Sequence, residues 1–171
     1  IKINTLLMPG INDDEVLDLA AFCIESGYEL RFIEQMPLGK HRWDPSEIIT
    51  QQQILETLAT RYELTEVPNR GSAPAARWYL DGGPATVGVI ASVTQPFCAE
   101  CDRLRLTADG QLRNCLFSDE EVDLRGPLRD GAADQTILGL ARASVEAKEE
   151  GHLIGRTGFH IPRRNMSGIG G

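Results

Sequence analysis

Three cysteines constrain this chain more than anything else in it: Cys98 and Cys101 in Cys98-Ala99-Glu100-Cys101, and Cys115 in Leu112-Arg113-Asn114-Cys115. A short loop with two residues between its cysteines turns both sulfurs to the same side, so the pair can chelate one metal centre. Cys115 follows after thirteen residues, which is room for a strand, a turn and a returning strand. Arg103-Leu104-Arg105-Leu106-Thr107 alternates charged and apolar residues, and Ala108-Asp109-Gly110-Gln111 holds the Asp-Gly pair of a hairpin turn. Such a hairpin carries Cys115 back beside the first pair. A structural zinc site fills all four positions, whereas a centre with chemistry to do keeps one open. An iron–sulfur cluster on three cysteines likewise leaves one iron for a small molecule. Spacing alone leaves three readings standing: an iron–sulfur cluster, a zinc ion, and a disulfide or unliganded thiols. Zinc would need His152 or His160 as its fourth ligand.

The arginines bear on that choice. On a strand, Arg103 and Arg105 project to one face while Leu104 and Leu106 project to the other. Two guanidiniums side by side repel unless an anion lies across them, and a phosphate chain suits their fork geometry. A solvated face of an ordinary hairpin is the plain alternative.

Composition narrows the partners. The net charge of −8 makes wholesale nucleic-acid binding a poor expectation, since that needs a basic face. No apolar run reaches the ~20 residues of a membrane span. Four cysteines make no secreted-type framework, so a cytoplasmic, reducing compartment is expected. The chain opens directly on a strand, Ile1-Lys2-Ile3-Asn4-Thr5-Leu6-Leu7-Met8, and reads as a piece of something longer.

Pro9-Gly10 breaks that strand, which places Lys2 and Asn4 on one face. Asn12 and Glu15 have the spacing of a capping box for a helix carrying Val16, Leu17, Ala20, Cys23 and Ile24 and ending at Gly27. Cys23 therefore belongs to a buried stripe. A second strand is expected over 29–36, giving a βαβ unit with parallel strands. Arg31 and Glu34 inside it need neighbours on other strands, or a place at a barrel mouth. The segment 38–47 is a loop in which Trp43 is a lid or a packed anchor. Thr50 and Gln53 cap a helix with Ile54, Leu55, Leu58 and Tyr62. From Leu64 onward short strands replace βα units, so a boundary falls near residues 63–72. A helix runs from Asp134 to Lys148, and the glycine-rich stretch 151–171 reads as a disordered tail.

The cysteine motif with Cys-Asp-Arg-Leu-Arg-Leu-Thr-Ala-Asp-Gly embedded in it resembles the carboxy-terminal cluster motif of the GTP 3′,8-cyclases. These are the radical S-adenosylmethionine enzymes that open molybdenum cofactor biosynthesis. The continuation Cys115-Leu116-Phe117-Ser118-Asp119-Glu120-Glu121-Val122-Asp123-Leu124-Arg125 and the final Gly170-Gly171 fit the same family. The family's amino-terminal Cys-x3-Cys-x2-Cys motif is absent, so the resemblance implies the carboxy-terminal half of such an enzyme. The implied fold class is α/β. Residues 1–66 form the last βα units of an incomplete TIM-type barrel, and 67–150 a small α+β domain with an auxiliary 4Fe–4S cluster. Residues 151–171 are a tail ending in Gly-Gly.

By resemblance, Cys98, Cys101 and Cys115 ligate the second 4Fe–4S cluster, whose open iron takes the guanine of GTP. Arg103 and Arg105 engage GTP phosphate and help catalysis. Lys2 and Arg31 face the triphosphate, Met36 lies near S-adenosylmethionine, and Gly170 and Gly171 enter the active site. The implied reaction is a lyase-type cyclisation. A 5′-deoxyadenosyl radical takes the ribose 3′-hydrogen, and the C3′ radical attacks C8 of the guanine. The implied partners are GTP, the amino-terminal half with the first cluster, a second copy in a homodimer, and the next enzyme, cyclic pyranopterin monophosphate synthase. Two rivals stay open beside this: an auxiliary-cluster domain of another radical enzyme, and a zinc-binding interaction module.

Overall fold

The structure is a computed structural model that describes residues 1–39 and 43–169. A five-stranded mixed sheet is its largest feature, with strand order β1-β2-β5-β4-β3. Strands β1 (Lys2–Leu6) and β2 (Glu29–Ile33) are joined through helix α1 (Val16–Ser26) and lie parallel, with Lys2 opposite Glu29 and Asn4 opposite Arg31. That is the expected βαβ unit, with alternation dictating which side chains face the helices. Leu30 and Phe32 are buried against Val16, Ala20 and Cys23 of α1. Burial in this apolar stripe pushes the Cys23 thiol up from its ordinary value.

Helix α2 (Gln51–Ala59) opens on the capping box expected from the sequence. The Thr50 hydroxyl accepts from the Gln53 amide, and the Gln53 side chain accepts from the Thr50 amide. Ile54 and Leu58 seal its inner face. Strand β3 (Leu64–Glu66) then pairs antiparallel with β4 (Ala76–Leu80), which pairs antiparallel with β5 (Thr86–Ile90). Strand β5 closes the set by lying parallel to β2. The sheet thus runs on through residues 64–90, across the 66/67 boundary read from the sequence. The hydrogen bonds between β2 and β5 override the change in texture.

Two compact units result. The first contains 1–36 and 43–101, the second 37–39 and 102–169 among the described residues. In the second unit, β6 (Arg105–Leu106), β7 (Gln111–Arg113) and β8 (Val122–Asp123) form an antiparallel sheet. Helix α3 (Arg125–Arg129) and helix α4 (Asp134–Glu146) follow. No helix among the described residues is long and apolar enough to cross a membrane.

Three expectations are corrected. Asn12 does not cap α1. Its side chain is consumed by the turn before the helix, accepting from the Met8 amide at 2.8 Å and donating to the Leu6 carbonyl at 3.0 Å. Strand β2 stops at Ile33 rather than Met36. Beyond it the Glu34 carboxylate turns inward to collect donors, as described below. The tail is ordered over 151–169: a 3-10 turn spans Met166–Ile169, Ile169 is fully buried, and the Gly39 amide donates to the Pro162 carbonyl at 3.0 Å. Composition could not register those specific contacts.

Candidate metal and anion site

No disulfide joins the four cysteines. Cys98, Cys101 and Cys115 are half-buried, in contrast to the sealed Cys23. Cys98 and Cys101 belong to the first unit and bracket a single 3-10 turn, Cys98–Glu100, closed by the Cys101 amide donating to the Cys98 carbonyl at 3.0 Å. That is the loop the two-residue spacing anticipates. Cys115 belongs to the second unit, two residues past β7, and its Sγ accepts from the Phe117 amide at 3.4 Å. Among the described residues of either unit, no group of three or more His, Cys, Asp or Glu is placed to hold a metal ion.

The hairpin between β6 and β7 forms as expected, with Arg105 opposite Arg113 and Leu106 opposite Leu112. Thr107 and Gln111 close a three-residue loop in which Gly110 has φ +81, the left-handed position that this loop length demands. The faces sort in an unusual sense. Leu104 and Leu106 are 43% and 61% exposed, while Arg103 and Arg105 are half-buried and Thr107 is buried. A free-standing hairpin would turn its leucines inward; here the protected side carries the cations. The Arg103 carbonyl also accepts from Lys148 at 2.8 Å, tying the strand's approach to the end of α4.

Beneath the hairpin lies a charge network that the sequence did not reveal. Arg113 is only 1% exposed, bonds the Glu121 carboxylate at 2.7 Å and donates to the Ser118 carbonyl. Glu121 also pairs with Arg164 at 2.7 Å, and Arg164 grips Asp109 of the hairpin loop at 2.7 Å. The hydrogen bond from Arg164, aided by the Thr107 hydroxyl, holds the Asp109 carboxyl well below the usual carboxylate range. In return Asp109 and Glu121 raise the Arg164 guanidinium above its already high value. The four residues lie as many as 55 positions apart, so no local period could have flagged them.

A cleft of about 360 Å³ opens in the second unit beside Cys115, walled by Phe117, Asp119, His152, Phe159 and His160. Phe117 and His152 meet edge to face at 5.0 Å, and His160 stands 3.6 Å from Asp119. Both histidines considered as zinc ligands thus line the wall that Cys115 shares.

In the first unit, Lys2 is exposed on β1 and Arg31 half-buried on β2. Their register partners, Glu29 and Asn4, put all four on one face of the sheet. Arg31 bonds Glu29 at 2.6 Å through Nε. Gly88 of β5 lies opposite Arg31 of the adjacent β2, and a Cβ there would meet Arg31 Cγ at 3.2 Å. The bare glycine therefore gives the arginine stem its path. Met36 is half-buried three residues past β2. Trp43 is an anchor, its indole donating to the Gln35 carbonyl at 3.2 Å. The Glu34 carboxylate is buried and accepts from the amides of Gln51, Val93 and Thr94 and from the Thr94 hydroxyl. It ties the end of β2 to the start of α2 and to the loop leading to Cys98. Gly170 and Gly171 lie outside the described residues.

The chain is a mixed α/β protein in which three half-buried cysteines flank, in sequence, a hairpin bearing two arginines. The chain belongs to the Molybdenum Cofactor Synthesis C family, whose model matches residues 28–154. It is 54% identical over 174 residues to a GTP 3′,8-cyclase of Streptomyces coelicolor, covering all of this chain and 51% of that protein. It is 49% identical to the GTP 3′,8-cyclase of Rhodococcus opacus and 46% to that of Corynebacterium glutamicum, again over the whole chain and 49% and 47% of those proteins. The chain spans about half the length of the curated relatives it matches.

Proposed function

We propose that this chain is the carboxy-terminal, substrate-holding half of a GTP 3′,8-cyclase. The complete enzyme would convert GTP to (8S)-3′,8-cyclo-7,8-dihydroguanosine 5′-triphosphate, the first step of molybdenum cofactor biosynthesis. The observation that carries this reading is the similarity to cyclases along the whole chain, including the thiol-flanked hairpin.

The donor set fits an iron–sulfur cluster in its chemistry. Three thiols outside any disulfide are half-buried, so a metal can reach them, and one already accepts an amide hydrogen bond of the kind that stabilises a thiolate. Cys98, Cys101 and Cys115 would hold a 4Fe–4S cluster with one iron left to the guanine. When bound, that cluster supplies a Lewis-acidic anchor for the base. The amino-terminal half, with the first cluster and S-adenosylmethionine, supplies the radical.

The remaining work falls to this chain's own side chains. Lys2, Arg31, Arg103 and Arg105 bind the triphosphate by charge-assisted hydrogen bonds, which are short and about twice as strong as neutral ones. Arg103 and Arg105 stand on the protected face of their hairpin, where an anion is better shielded from water than at the surface. Met36 would lie against S-adenosylmethionine, and Gly170 and Gly171 would approach the substrate closely for want of side chains. Holding the ribose and base in reacting geometry is itself a large catalytic contribution. The first unit supplies the last strands of an incomplete barrel in this reading. A cytoplasmic homodimer feeding cyclic pyranopterin monophosphate synthase completes it.

Anaerobic reconstitution with iron and sulfide tests the proposal. About four irons per chain, and an electron paramagnetic resonance spectrum of the reduced sample that changes with GTP, are expected. Tightly held zinc, or a cluster indifferent to GTP, overturns it. So does cyclised nucleotide made by this chain without an amino-terminal half.

A further inference from the structure

We infer that Arg70 and Phe97 form a positioning pair that shapes the Cys98–Cys101 turn before any metal arrives. The inference rests on the proposed role of those two cysteines as ligands.

The guanidinium of Arg70 lies 4.4 Å from the centroid of the Phe97 ring. Phe97 is the residue immediately before Cys98 and the N-cap of the turn, and its carbonyl accepts from the Glu100 amide at 3.3 Å. Whatever fixes the Phe97 ring therefore fixes the backbone from which both cysteines hang. Phe97 makes no side-chain cap hydrogen bond to this turn, so its ring contact is a support additional to the turn's backbone hydrogen bonds.

Arg70 is itself held rigidly. Its Nε donates to the Ala73 carbonyl at 2.7 Å, and one terminal nitrogen donates to the Pro74 carbonyl. On either side, Asn69 and Gly71 adopt left-handed backbone, with φ of 60 and 57. The loop is wrapped around its own guanidinium, which leaves the flat face of that group to the ring. From Pro74 the chain passes to buried Ala75 and strand β4, so the loop stands on the sheet. The pair thus transmits the rigidity of the sheet to the ligand turn. A cation over an aromatic face is worth more as the pair is withdrawn from water, and both partners here are half-buried. A lysine could not replace the arginine, because two carbonyls and a ring face must be met at once by a planar fork.

The test uses two readouts on the whole chain. In the metal-free protein, the rate of Cys98 alkylation relative to Cys115 reports how well the turn is held. In the reconstituted protein, the rate of iron loss to a chelator reports ligand placement. Arg70→Gln, Phe97→Leu and the double variant are each expected to raise both rates roughly three- to tenfold, the range a half-buried cation–ring contact can supply. The double variant should be no worse than the more damaging single change, since both remove the same ring contact. Phe97→Tyr keeps the ring and should match the unsubstituted chain, while Arg70→Lys should not. Unchanged rates in both single variants overturn the inference, as do effects that add in the double variant. If the unsubstituted chain takes up no iron, the proposed function fails, while the alkylation rates still decide the fate of the pair.

Discussion

Replacing Glu34 by alanine offers the sharpest test of how the first unit is held together. The carboxylate is 1% exposed and satisfies three backbone amides and one hydroxyl. One of those amides, from Gln51, begins α2, where a negative charge also meets the positive end of the helix dipole. Hydrogen bonds to a charged group contribute about 1.5–3 kcal/mol each, and a buried donor left without a partner costs about 1–3 kcal/mol. These terms do not add freely, because water can enter the hole left by the missing side chain. A net loss of about 3–5 kcal/mol is therefore expected for Glu34→Ala, the range found when one partner of a buried charged network is removed. Glu34→Gln keeps the shape and one acceptor oxygen, and should lose about 1–3 kcal/mol. Urea unfolding of the chain gives both values, with the midpoint falling and the slope unchanged. A loss below about 1 kcal/mol for alanine would refute the claim that this carboxylate joins β2, α2 and the loop toward Cys98.

Other expectations follow from single contacts. Asp109→Asn should destabilise the second unit near neutral pH, because Arg164 and Thr107 hold the native carboxyl below its ordinary range. A depressed carboxyl contributes stability that is complete above the unfolded value of about 3.9 and fades as the pH falls toward the lower folded value. The stability gap between the two chains should therefore begin to narrow only below about pH 3.9 and keep shrinking as the pH falls further toward the lower folded value, and a constant gap through that fall would contradict the pairing. Gly110→Ala forces a Cβ to 2.5 Å from Arg125 Cβ at a left-handed position. It should cost about 1–3 kcal/mol by chemical denaturation. Thr50→Ala removes one arm of the capping box and should cost about 1 kcal/mol, measured the same way. Arg105→Ala should weaken GTP binding by calorimetry about tenfold or more, the worth of one charge-assisted bond, and unchanged affinity would remove it from the anion site.

The sequence disclosed what local chemistry can encode. The Thr50–Gln53 box, the apolar stripe of α1, the Asp109-Gly110 loop and the cysteine turn are all read from neighbours within a few positions. What escaped it depends on distant partners. Glu34 reads in the sequence as a strand charge that needs a partner, but its donors at Val93 and Thr94 lie 59 and 60 residues away. Arg113 reads as one more alternating cation on a strand, yet its burial makes sense only with Glu121 and Arg164 in place. Asn12 shows the opposite failure. Its cap signature was sound locally, but a competing turn used the same side chain first. Arg70 carries no motif at all, and only its position over Phe97 gives it meaning.

The buried end of the tail also dictates an order of assembly. Among the described residues the sheet of the first unit draws on none past 90, so its strands can pair while later residues are still being synthesised. The second unit cannot close in that way. Gly39, made early, finds its carbonyl partner in Pro162, and Asp109 finds its guanidinium in Arg164. Contacts of such long range impose the slowest loop closures in the chain. Until residue 164 has been made, the hairpin that carries Arg105 has only part of its support, so a chain interrupted before that point holds the paired strands of the first unit beside an open second one.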